Sequence, residues 1–138
     1  STLFPYTTLF RSVLNQGDAV ILLDPAWVTF EAAIKMAGAK VKWVKRMEEG
    51  IRYESLEAAW TPNAKMVVIN SPNNPVGYVL NRKEQQEIAD FVRDHDLFVL
   101  SDEVYEKIIY GIKHVSIASF EDMEERTIII NGFSKTLP

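Results

Sequence analysis

Five short runs with strand character are separated by segments with helical spacing, and this alternation restricts the chain to a narrow set of folds. Ala19 to Leu23, Lys65 to Ile69, Leu97 to Leu100 and Thr127 to Ile130 are apolar almost throughout. They are short, bounded by turn residues and rich in β-branched side chains, which marks them as strands buried on both faces. Lys40 to Val44 alternates polar and apolar residues, as a half-exposed strand does. Between them, Glu31 to Ala37, Tyr53 to Trp60 and Arg82 to His95 are expected to be helices, the last with Ile88, Phe91 and Val92 as its apolar stripe. Doubly buried strands alternating with helices imply right-handed βαβ units and a mainly parallel sheet. The expected fold is α/β, a three-layer αβα sandwich.

Composition narrows the functions open to such a fold. With 138 residues, 47% hydrophobic and 25% charged, the chain is long enough for one domain with a core. A formal charge of -4 and a pI near 5.2 argue against nucleic acid or an acidic membrane surface as the partner. There is no cysteine, which removes disulfides, thiolate metal sites and a cysteine nucleophile together. His95 and His114 are the two histidines, too few for a multi-histidine metal centre, and both read as structural. The run Glu121 to Glu125 reads as a solvated face. No stretch reaches the roughly 20 apolar residues of a membrane-spanning helix, so a cytoplasmic location is expected. Residues 1–12 lack the basic start and apolar core of a signal peptide. Thr2 to Ser12 reads like a translated sequencing adapter, so residues 1–12 are expected to be a non-native leader outside the fold.

Each buried run is followed by a distinctive cluster. Ala19 to Leu23 leads into Asp24-Pro25-Ala26-Trp27, and Lys65 to Ile69 into Asn70-Ser71-Pro72-Asn73-Asn74-Pro75-Val76-Gly77. Leu97 to Leu100 leads into Ser101-Asp102-Glu103-Val104-Tyr105, and Thr127 to Ile130 into Asn131-Gly132-Phe133-Ser134-Lys135. In a parallel sheet all four clusters emerge on one edge, where they can line a single pocket.

A lysine, an aspartate, a tyrosine, an asparagine and a tryptophan at one edge suit an aromatic cofactor bearing a carbonyl. Lysine forms imines once desolvation or a nearby cation frees its amine. In pyridoxal phosphate enzymes an acidic residue keeps the pyridine nitrogen protonated, a role open to Asp102. Tyr105 and Asn74 suit the ring's 3-oxygen, and the flat indole of Trp27 can stack on the ring. Taken singly, each has a plainer reading. Lys135 is then a solvated surface charge, Asp102 a helix N-cap, Trp27 core packing and Asn70 to Gly77 a turn. Their joint occurrence at successive strand ends favours the pocket.

The motifs Asn70 to Gly77, Ser101 to Tyr105 and Gly132 to Lys135, in that order and approximate spacing, resemble the fold-type I pyridoxal phosphate aminotransferases of class I/II. The similarity extends from Val13 to Lys135 and is strongest to the aspartate and aromatic aminotransferase branch. It implies the large domain of the aspartate aminotransferase-like fold, with Lys135 as the Schiff-base lysine and proton shuttle and Asp102 as the pyridinium partner. It also implies Tyr105 and Asn74 at the 3-oxygen, Trp27 on the ring, Ser134 as a further cofactor contact and Asn74 at the substrate carboxylate. An amino acid and a 2-oxo acid would be the substrates and a homodimer the working form. Gly132 stands where some relatives have a phosphate-binding serine. Members of the family bind phosphate upstream of Val13 and beyond Pro138 as well. Residues 13–138 are therefore expected to be a partial large domain, truncated at both ends and inactive by itself. A carbon-sulfur β-lyase and the aminotransferase-like sensor domain of a transcription regulator remain open on the same residues. A Rossmann dinucleotide site does not, since no G-x-G-x-x-G follows a predicted strand.

Overall fold

Ala19–Asp24 (β1) begins with five apolar residues in succession, all buried, so both faces of this strand must be covered. It pairs in parallel with Lys40–Lys45 (β2) on one side and Ala64–Asn70 (β3) on the other. β3 pairs with Phe98–Asp102 (β4), and β4 with Thr127–Ile130 (β5), in the order β2-β1-β3-β4-β5, parallel throughout. This computed structural model describes residues 3–71, 79–103 and 115–130. Its helices are Leu3–Val13 (α1), Val28–Met36 (α2), Tyr53–Ala59 (α3) and Arg82–Asp94 (α4).

Alternation along the strands separates two cores, one on each side of the sheet. Val20 and Leu22 of β1, Met66 and Val68 of β3 and Leu100 of β4 meet Phe10 and Leu14 from the α1 end and Phe30, Ala33 and Ile34 of α2. Ile21, Leu23, Val67, Ile69 and Val99 point the other way, against Leu56 of α3, Ile88, Phe91 and Val92 of α4, and Ile117, Phe120 and Met123. The three-layer αβα sandwich expected from the sequence is thus present. Strand and helix limits fall close to those read from the sequence. α2 starts three residues earlier than its spacing suggested, directly after Trp27 in extended backbone.

Within the segment expected to be a leader, Leu3–Val13 is helical and Phe10 is fully buried. Tyr6, Leu9, Phe10, Val13 and Leu14 recur at helical spacing and form a stripe that packs on the sheet. Arg11 also donates to the carbonyl of Met36 at 3.2 Å, tying α1 to the end of α2. The leader's lack of signal-peptide features carried no information about this stripe.

The edge strand β2 carries Lys40, Lys42 and Lys45, with Lys40 and Lys45 exposed and only Val44 fully inside. Its connection to α3 is held from across the sheet's edge by a carboxylate of α4. Asn81 caps α4 by accepting from the backbone N–H of Glu84 at 2.8 Å, which seats Glu84 in the first turn. The buried Glu84 side chain then accepts from Arg46 twice, Nε at 2.9 Å and Nη2 at 2.7 Å, and from the Ile51 N–H at 3.2 Å. A bidentate pair with a further backbone donor repays the desolvation of a buried carboxylate where a single contact would not. Gly50 is what lets the loop approach. Its φ is +92°, and a Cβ there would lie 2.8 Å from Glu84 Cδ. Glu84 cannot yield, because both oxygens are held.

α3 and α4 are joined at their exposed ends by Tyr53, whose hydroxyl donates to Asp94 at 2.6 Å while its ring meets Phe91 edge-on. His95 stacks on Trp60 and contacts Glu57, a structural role as expected. The hydrogen bond to Asp94, followed by burial and the negative charges of Asp94 and Glu57, raises the Tyr53 phenol from 10.0 to about 12.

Two outcomes follow. Glu84→Ala should cost about 3 kcal/mol in urea unfolding, and Gly50→Ala about 1–3 kcal/mol. In the Glu84→Ala background the glycine substitution should lose the part due to collision, leaving backbone strain alone. Tyr53→Phe should lower stability by an amount that is constant from neutral pH up to about pH 10. The folded-state pKa is the raised one, so the wild type's advantage should then shrink as pH rises from 10 to 12. Denaturation curves over that range test this, and a pH-independent difference would refute it.

Candidate active site at the strand mouths

Where adjacent parallel strands send their chains to opposite faces, the loops part and leave a crevice at the C-terminal ends. β1 and β3 are such a pair. β1 leads into α2 on one face and β3 into α4 on the other. Asp24-Pro25-Ala26-Trp27 leaves the first strand and Asn70-Ser71 the second.

Asp102 is the last residue of β4 and is 4% exposed. By alternation from Leu100 it lies on the α1/α2 face. Its ladder neighbours are Asn70 of β3, also buried, and Ile130 of β5. Trp27, at the N-terminal boundary of α2, packs on the same face. Its ring meets Tyr6 at 5.5 Å and Phe30 at 5.6 Å, both edge-to-face, and Tyr6 and Phe30 meet each other at 5.2 Å. This triangle of mutually near-perpendicular rings holds the indole in place, a geometry favoured by the ring quadrupoles. The fold therefore brings a buried carboxylate, a buried amide and a half-buried indole to one edge and one face.

The segment between β3 and α4 is closed at its base. Ser71 Oγ accepts from the Leu80 N–H at 3.0 Å, and Gln85 Nε2 donates to the Leu80 carbonyl at 3.1 Å. Both backbone groups of Leu80 are thereby satisfied by side chains in a buried setting. Of the residues predicted for the site, Trp27 and Asp102 are brought to the same mouth. Asn74, Tyr105, Ser134 and Lys135 lie outside the described residues, as does His114.

Asp102 is part of the strand ladder and closes β4. Sequence reasoning passed over Asn70, which it treated as the first residue of a turn. Its place beside Asp102 depends on strand register, which composition and periodicity do not reveal. Among the described residues no group of acidic or histidine side chains could hold a metal ion. What the arrangement can do chemically is hold a flat, nitrogen-bearing ring, with a carboxylate facing a protonated nitrogen and an indole available to its face.

Comparison with known proteins agrees with this geometry. The family model for aminotransferase class I and II matches residues 6–137. The aromatic-amino-acid aminotransferase 2 of Thermococcus litoralis is 46% identical over 127 residues, covering 89% of this chain and 33% of that protein. The aspartate aminotransferase of Pyrococcus abyssi is 47% identical with the same coverage of each. The crystal structure of the aromatic aminotransferase from Pyrococcus horikoshii superposes with a TM-score of 0.90 at 42% identity, over 99% of this chain and 37% of that one. The chain spans about a third of the length of these relatives.

Proposed function

The chain belongs to the aminotransferase class I and II family, and on that premise we propose that the protein containing it exchanges an amino group between an amino acid and a 2-oxo acid, using pyridoxal 5'-phosphate. The observation that carries this reading is the buried Asp102 carboxylate beside Asn70, on the face where Trp27 is packed.

The described residues fit that cofactor. A carboxylate removed from water favours a cationic partner, which a protonated pyridine nitrogen supplies, and a half-buried indole held by Tyr6 and Phe30 is a flat group of the kind that packs against a ring. Bound pyridoxal phosphate supplies an electron sink for the substrate's α-carbon. With the cofactor bound, Asp102 would hold the proton on the ring nitrogen, Trp27 would restrain the ring, and Asn74 and Tyr105 would contact the 3-oxygen. Lys135 would be the residue that carries the cofactor and shuttles the proton, Ser134 would be a further cofactor contact, and Asn74 would also meet the substrate carboxylate. These assignments rest on the motifs and on family resemblance. The same resemblance supports a homodimer acting in the cytoplasm. Among the described residues no helix is long and apolar enough to cross a membrane.

The test uses the full-length gene product that carries this sequence. Borohydride should attach pyridoxal phosphate permanently to the parent and not to Lys135→Ala, and attachment in both would reject the lysine assignment. Asp102→Ala should lower turnover by about a hundredfold or more. With amino donors and 2-oxo acids the parent should show amino exchange, whereas release of ammonia and pyruvate without exchange would indicate elimination instead.

A further inference from the structure

Glu103 follows Asp102 directly and is buried as deeply, at 3% exposed, yet it has no place in the site described above. Alternation sends it to the opposite face, where Val99 and Ser101 also point. There its Oε2 accepts from Ser101 Oγ at 2.8 Å and from Ser116 Oγ at 2.7 Å. Its backbone N–H donates to the Ile130 carbonyl at 2.8 Å, extending the β4–β5 ladder one residue past Asp102.

The second serine is itself firmly rooted. Ser116 Oγ accepts from the Ala118 N–H at 3.3 Å, capping a single turn over Ile117–Ser119, and Ser119 Oγ donates back to the Ser116 carbonyl at 2.7 Å. Ile117 of that turn is buried in the α3/α4-side core. One carboxylate oxygen thus joins the end of β4 to a core-packed turn that lies beyond it in sequence.

The geometry around Asp102 gives this clamp a consequence. Ser101 and Glu103 flank it, and their side chains are bonded to each other on the far side of the sheet. With peptide planes rigid, fixing the residues on both sides leaves Asp102 little backbone freedom. A buried carboxylate is costly unless its hydrogen bonds are needed, and an apolar residue would fill the same volume at lower cost.

We propose that Glu103, through the hydroxyls of Ser101 and Ser116, is a positioning residue that aims Asp102 at the ring nitrogen of the cofactor. The proposal rests on the function put forward above. Glu103 touches neither cofactor nor substrate, and it acts by holding the strand end at which Asp102 is mounted.

The experiment titrates pyridoxal phosphate into the cofactor-free, full-length gene product, recording the dissociation constant and the visible absorbance of the bound ring. Glu103→Ala should weaken binding about tenfold or more and shift the absorbance in the same direction as Asp102→Ala. Glu103→Gln keeps an oxygen acceptor for both hydroxyls and should return to within about threefold of the parent. Ser116→Ala, distant from β4 in sequence, should fall between. A Glu103→Ala protein with the parent's affinity and spectrum would overturn the proposal, and so would a glutamine variant as impaired as the alanine one. If Glu103→Ala does not fold, Ser116→Ala decides, since an unchanged affinity and spectrum there would also overturn it. A parent that binds no pyridoxal phosphate would reject the aminotransferase reading itself, a result distinct from a parent that binds and a Glu103→Ala variant that matches it.

Discussion

Crossovers between parallel strands are right-handed, so a chain that moves first one way along a sheet and then the other must change faces between the two moves. Here the chain goes from β1 outward to β2 with α2 on one face, then returns past β1 to β3 and onward to β4 and β5 with α3 and α4 on the other. The loops after β1 and β3 consequently diverge. Trp27 is carried toward one layer and Ser71 toward the other, while Asn70 and Asp102 remain at the opening between them. The location of the candidate site is thus a property of strand order, set before any side chain is chosen.

Side chains then determine how firmly that opening is built. Buried polar groups in the described residues occur mainly at the strand mouths and at the β2–α4 junction, and two of the buried carboxylates are held by several bonds at once. Glu84 takes three donors and Glu103 takes two hydroxyls on one oxygen. For an isolated carboxylate the desolvation penalty would exceed the gain from one hydrogen bond, so multiplicity is what makes these sites tolerable. By contrast Lys35 with Glu31, two exposed groups one helical turn apart, adds little.

The sequence made the fold class plain because doubly buried strands and an amphipathic helix such as α4 leave strong periodic marks. The places of Asp102 and Trp27 at the strand mouths were legible for a different reason, since Asp102 sits in a motif with family resemblance and Trp27 in a polar and aromatic cluster at the end of such a strand. The helix Leu3–Val13 was not legible because its segment reads like a translated adapter, although Tyr6, Phe10 and Val13 stand at helical spacing. Asn70, Glu103 and Ser116 were not legible as partners. Their contacts depend on register and on a return of the chain from 13 residues away, which no local pattern encodes.

The lysines of β2 have an effect that reaches past the folded monomer. An outer strand offers unpaired backbone donors and acceptors to any other strand that meets it, and two copies joined edge to edge would merge their sheets into one. Lys40, Lys42 and Lys45 recur along that rim, so a second copy brought alongside would set like charges against one another. The same residues that make β2 look only half like a strand in the sequence therefore disfavour strand pairing between two copies at this edge.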